Sequence, residues 1–125
     1  MMKVLSIMAH ELSQYQRDDF ARSNEGIVDI QQLKDVNEAL YKELTQCSPF
    51  INDLESLAEE IALIATDYDA IILPIGSPAF MFLLARELHG VECWFSHSER
   101  VSEEDPVTGI KVSTFKHIRF ILVCT

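Results

Sequence analysis

Glycine is scarce in this chain, with four in 125 residues. None belongs to a GxGxxG or GxxxxGK[ST] pattern, so the two common glycine-rich phosphate loops are excluded. GxSxG is also missing, which removes the nucleophile elbow of α/β-hydrolases. The three cysteines, Cys47, Cys93 and Cys124, show no CxxC and no Cys/His ligand spacing. An odd, scattered set reads as buried thiols in a reducing compartment rather than as a disulfide frame. The four histidines lack paired spacing, so neither a metal site nor a cofactor is expected. No apolar run reaches the roughly 20 residues that a membrane helix needs. Met1–Ala9 is too short for a secretory leader and is followed at once by polar residues. No membrane partner is expected, and the reading is cytoplasmic. Basic residues are few: ten against twenty acidic ones, for a net charge of −10. That balance argues against a broad basic face and against long nucleic acid as a partner. It leaves room for a compact site that holds a small anion.

What remains is an ordinary globular composition, with 48% hydrophobic and 24% charged residues, read as one domain over 1–125. Lys3–Ala9 reads as a buried strand. Ser13 with Gln16 is a capping-box pattern that opens a helix to about Arg22. Ile27–Ile30 is a short strand. Leu33, Val36, Leu40, Leu44 and Cys47 recur at helical spacing, so one helix is predicted over 33–47. A further helix starts with Asn52 as its candidate cap, and Ala70–Leu73 is the next strand. Pro78–His89 is almost wholly apolar and is predicted to be a buried helix that stops at Gly90. Val91–His97 is a strand, and Arg100–Val101 can extend it beyond the main sheet. Ser102–Gly109 is a solvated turn. The segments 110–115 and 118–123 follow either as one bent strand or as two. Alternating strands and helices predict an α/β fold: a three-layer sandwich with a mainly parallel sheet and a C-terminal β-hairpin.

Chemistry concentrates at three places. In Tyr68–Gly90 an apolar strand reaches Pro74-Ile75-Gly76, and Ser77-Pro78 then opens a helix. A helix start behind a glycine bend directs free N–H groups at one point, which suits phosphate; a plain capped turn is the alternative. His10 follows the first strand and offers a donor or a general base, or is simply a surface residue. Ser96-His97-Ser98-Glu99-Arg100 and Phe115-Lys116-His117-Ile118-Arg119 are polar strand segments. Regular alternation separates Lys116 from Phe115 and His117, so these side chains share a pocket only if the chain bends there. A solvated edge hairpin with gatekeeping charges is the alternative. In parallel sheets ligands sit beyond the carboxyl ends of the strands, which gathers His10, Gly76-Ser77 and Ser96-His97 at one rim. A nucleotide or RNA-fragment site is the leading reading.

An ordered set of motifs then carries a resemblance that spans nearly the whole chain. It comprises Ala9-His10-Glu11-Leu12-Ser13 with Gln16, the Gly76 turn before an apolar helix, Ser96-His97-Ser98-Glu99-Arg100, and Phe115-Lys116-His117-Ile118-Arg119-Phe120. In these the chain resembles the small CRISPR-associated, Csx-type ring nucleases of type III systems. The resemblance implies a Rossmann-like fold related to CARF domains and a homodimer. It also implies a cyclic oligoadenylate ligand, most simply cyclic tetra-adenylate, bound across the two-fold axis. The implied reaction is metal-independent: a ribose 2′-OH attacks the adjacent phosphorus and leaves a 2′,3′-cyclic phosphate. Cleavage of the messenger would switch off type III antiviral signalling. The catalytic candidates so implied are His10, His97, His117 and Lys116. The ligand-binding candidates are Ala9, Gly76, Ser77, Pro78, Phe80, Ser96, Ser98 and Arg100. A non-catalytic sensor or sponge with the same fold is the alternative.

Overall fold

The computed structural model describes residues 1–8, 10–24, 26–46, 48–73 and 77–124. It is a mixed α/β protein. Strands β1 (Met2–Ser6), β2 (Val28–Gln32), β3 (Ala70–Leu73), β4 (Glu92–Glu104) and β5 (Lys111–Cys124) form one sheet. Their spatial order is β2-β1-β3-β4-β5. The first four are mutually parallel, and β5 returns antiparallel to β4. Helix α1 (Gln14–Ser23) links β1 to β2. Helices α2 (Leu33–Val36), α3 (Glu38–Gln46) and α4 (Ile51–Ala65) lie between β2 and β3, and α5 (Pro78–Glu87) joins β3 to β4.

Strand pleating sends alternate side chains to opposite faces, and each face has its own core. Leu5, Ile7, Ile71, Leu73 and Cys93 pack with Leu57, Ile61, Phe80 and Leu84 of α4 and α5. Val4, Ala70, Ile72, Trp94 and Phe120 pack with Phe20 of α1. Phe20 is fully buried, with Trp94 and Phe120 both edge-on at 5.2 Å. These faces leave no position for a polar run in β3, whose four residues are all buried.

Local chemistry sets the helix ends. Ser13 and Gln16 form the capping box: Gln16 N–H donates to Ser13 Oγ (3.2 Å), and Ser13 N–H donates to Gln16 Oε1 (3.0 Å). Ser77 caps α5, with Pro78 in the first turn. Three expectations need correction. The helix over 33–47 is two helices, because Asn37 breaks it. Asn37 is extended, and its Oδ1 accepts from Leu40 N–H (3.0 Å), which restarts the chain as α3. Asn52 is not a cap but lies inside α4. That helix start is organised by Ser48, whose Oγ donates to Asp53 Oδ2 (2.8 Å) and accepts from Phe50 N–H (3.2 Å). Helix α5 is only half buried. It sinks Phe80, Leu83 and Leu84 but leaves Phe82 77% exposed.

The C-terminal hairpin is longer than its sequence implies. The solvated turn shrinks to 105–110, since β4 runs to Glu104 and β5 begins at Lys111. Asp105 closes the turn: its Oδ1 accepts from Val107 and Thr108 N–H, at 2.8 and 3.3 Å. Those two donors hold its carboxyl below the usual carboxylate range. Gly109 has φ 72°, the left-handed region that glycine enters without strain. β3 pairs β4 only over 92–95, so among the described residues β4 beyond Phe95 pairs with β5 alone. Cys93 is buried; Cys47, and the side chains of Phe115 and Cys124, lie outside the described residues.

Candidate active site

The hairpin carries a β-bulge at Ile118. His97 pairs with Arg119 and Ser98 with His117, so Ile118 is the extra residue. In a regular strand His117 and Phe120, three apart, would point to opposite faces. The bulge puts both on the face that α1 covers, with ring centroids 4.7 Å apart. The bulge does not gather Lys116, which pairs opposite Glu99 in regular alternation and stays on the other face from His117.

His117 is bonded at both nitrogens. Nδ1 lies 2.6 Å from Ser96 Oγ, and Nε2 lies 2.9 Å from Asp19 Oδ2. The His117 side chain is 6% exposed and that of Asp19 16%. An ionised carboxylate only accepts. In the neutral imidazole, Nε2–H therefore donates to Asp19, and Nδ1 accepts from the Ser96 hydroxyl. The Asp19 carboxyl is held below its ordinary pKa, first by the hydrogen bond from His117 and then by Arg22, against the opposing effect of burial. Arg22 Nη2 lies 3.2 Å from Asp19 Oδ1, so both carboxylate oxygens are occupied. Tyr15, one turn earlier in α1, stands edge-on to His117 at 6.0 Å. The arrangement is a hydroxyl, an imidazole and a carboxylate in series. It can accept a proton at Ser96 and stabilise the resulting imidazolium through Asp19.

The sequence-derived candidates divide by face. Alternation along β4 sets Ser96, Ser98 and Arg100 on the α1 side with His117. Ser96 is buried, Ser98 half-buried and Arg100 exposed. His97 and Lys116 lie on the opposite side of the ribbon, both exposed, opposite Arg119 and Glu99 respectively. Ser77 is half-buried and its Oγ accepts from Phe80 N–H at 3.4 Å. Pro78 is exposed at the start of α5. Phe80 is 2% exposed, so its ring is core rather than ligand surface. Ala9 and Gly76, with Pro74 and Ile75, lie outside the described residues. His10 is exposed and borders a different groove, of about 320 Å³, at the carboxyl ends of β1 and β2. Strand β3 stands between β1 and β4, so His10 and Ser96 open on separate parts of the rim. A larger groove of about 570 Å³ between α3 and α4 is lined by Glu43, Asp53 and Glu60, whose charge disfavours an anion.

Asp19 is the member of the candidate site that the sequence does not reveal. The available signal was weak: Tyr15, Asp19 and Arg22 share one face of α1 at helical spacing. Among the described residues no group of three or more His, Cys, Asp or Glu side chains is arranged to hold a metal, and no helix is long and apolar enough to cross a membrane.

The fold and site define a mixed α/β protein whose C-terminal hairpin is tied to its first helix by a Ser–His–Asp chain. The chain belongs to the uncharacterized protein MJ1673 family, whose model matches residues 2–121. No curated protein and no solved structure matches it.

Proposed function

We propose that this protein is a ring nuclease that binds and cleaves a cyclic oligoadenylate, most simply cyclic tetra-adenylate, and so ends type III CRISPR signalling. The observation that carries the reading is the Ser96–His117–Asp19 chain, because a metal-independent attack by a ribose 2′-OH needs an oriented proton acceptor. In the reaction the 2′-oxygen bonds to phosphorus and the P–O5′ bond breaks. The 2′-OH proton passes by way of Ser96 to His117 Nδ1, and Asp19 stabilises the imidazolium. The imidazolium then returns a proton toward the departing O5′. Arg100, on the same face, offsets the charge that develops on the phosphate. Placement on one face favours His117 and Arg100 for these roles over His97 and Lys116. The Ser77 cap and the start of α5 supply a second phosphate contact.

The same reading includes a Rossmann-like, CARF-related three-layer arrangement, supported by the separate cores on the two sheet faces. It also includes a cytoplasmic homodimer. Phe82 and Leu63, 77% and 73% exposed on two helices that pack together, supply apolar surface for a second copy.

One observation favours the second reading, a sensor or sponge that binds the ring without cutting it. Ser96 is 6% exposed, as is the His117 side chain, so the chain of bonds can serve to pin the hairpin. Labelled cyclic tetra-adenylate incubated with the protein in EDTA separates the two. Linear products ending in a cyclic phosphate, lost in His117→Ala, support the nuclease. An intact ring that co-migrates with the protein supports the sensor. An intact ring with no binding overturns both.

A further inference from the structure

Two buried polar atoms have no hydrogen-bond partner among the described residues: Ser6 Oγ and Gln32 Nε2. Of the two, Gln32 lines a groove and Ser6 does not. Ser6 and Gln32 are register partners at the carboxyl ends of β1 and β2, 0% and 8% exposed. An orphaned buried donor is costly to a protein that gains nothing from it. Gln32 lines the groove of about 320 Å³ that also contains His10. It stands at the N-cap position of α2 and makes no side-chain cap bond there.

The rest of that groove describes what would satisfy the donor. Lys34 and His10 supply positive or donor groups suited to a phosphate. Glu11 and Asp35 supply carboxylates that accept from hydroxyls or an amine. Met8 and Tyr41 add apolar side-chain surface to the lining. Asp35 follows β2 by three positions and lines the groove, where its carboxylate can accept from a ribose diol. The volume is at the low end of small-molecule sites, enough for one nucleotide unit and not for a larger ring. We infer that this groove binds a nucleoside monophosphate, with Gln32 Nε2 donating to the base, Asp35 accepting from the ribose hydroxyls and Lys34 meeting the phosphate. The inference stands apart from ring cleavage at Ser96 and His117, since a mononucleotide can bind here whether or not that chemistry occurs.

Calorimetric titration of the whole protein with AMP tests this, with GMP, CMP, UMP, 2′-deoxy-AMP and inorganic phosphate as comparison probes. Saturable AMP binding is expected. Gln32→Leu should raise the AMP Kd about tenfold or more while leaving the unliganded protein at least as stable, because the orphan donor is removed. Asp35→Ala, which removes the acceptor, should abolish the preference for AMP over 2′-deoxy-AMP. Lys34→Ala, at an exposed position that folding does not need, should also weaken AMP. Absence of saturable binding, inorganic phosphate that binds as tightly as AMP, or AMP affinity unchanged in Gln32→Leu and Lys34→Ala would each overturn the inference. Loss of stability in Gln32→Leu with unchanged AMP affinity would instead assign the donor to a buried water, and would overturn it too.

Discussion

His117 Nε2 lies 2.9 Å from Asp19 Oδ2, a contact between residues 98 positions apart. It joins the base of the hairpin to the middle of α1. The bulge at Ile118 is what turns the imidazole toward that helix, and the other ring nitrogen carries the tie onward to Ser96.

If the tie is as central as its burial implies, His117→Ala leaves Ser96 and Asp19 short of a partner. The expected loss is about 1–3 kcal/mol of unfolding free energy in urea. A cycle of Asp19→Ala, His117→Ala and the double variant should show coupling of at least about 0.5 kcal/mol. Additive losses would mean that the two side chains act independently.

The pH dependence has a definite sign. The folded carboxyl of Asp19 titrates below its unfolded value, chiefly because His117 donates to it. Its stabilising contribution is therefore complete above the unfolded carboxylate pKa and is lost as pH falls through the lower, folded value. Acid unfolding of Asp19→Asn should show a shallower dependence below about pH 4, with wild type and variant converging in stability there. A difference between them that grows toward low pH would contradict this assignment.

The α1-side core depends on one aromatic cluster. Phe20→Ala should cost about 3–5 kcal/mol. Trp94 is the single tryptophan and packs on Phe20, so its emission should shift to the red in the folded variant. An unchanged emission maximum would place α1 differently.

Asn37 both ends α2 and begins α3. Asn37→Ala should remove the cap on Leu40 N–H and cost about 0.5–2 kcal/mol in thermal unfolding. A stabilised variant would show that the continuous helix expected from spacing is the better conformation.

Much of the fold follows from local rules and was readable in advance. The Ser13–Gln16 capping box, the all-apolar strand Ala70–Leu73 and the Ser77-Pro78 helix start each depend on a few neighbouring residues. The misreadings have equally physical causes. Periodicity from Leu33 to Cys47 persists through Asn37, so apolar spacing hid a break that the Asn37 side chain creates. Ser96 and His117 were visible as polar residues in strands. Their union is not, because a regular pleat places them on opposite faces and only the Ile118 bulge, which polar patterning does not mark, changes the parity. Asp19 is harder still: beside Asp18 and flanked by Arg17 and Arg22, only its partner in space distinguishes it.

Paired strands rise about 3.3 Å per residue, so β4 from Ser96 to Glu104 reaches about 30 Å past its last bond to β3. That length divides the molecule by how often its amides open. Exchange with deuterium should be slowest for β1 and β3, which have partners on both sides. It should quicken along β4 and β5 with distance from the His117 tie, until the amides nearest Asp105 exchange almost as freely as those of a peptide.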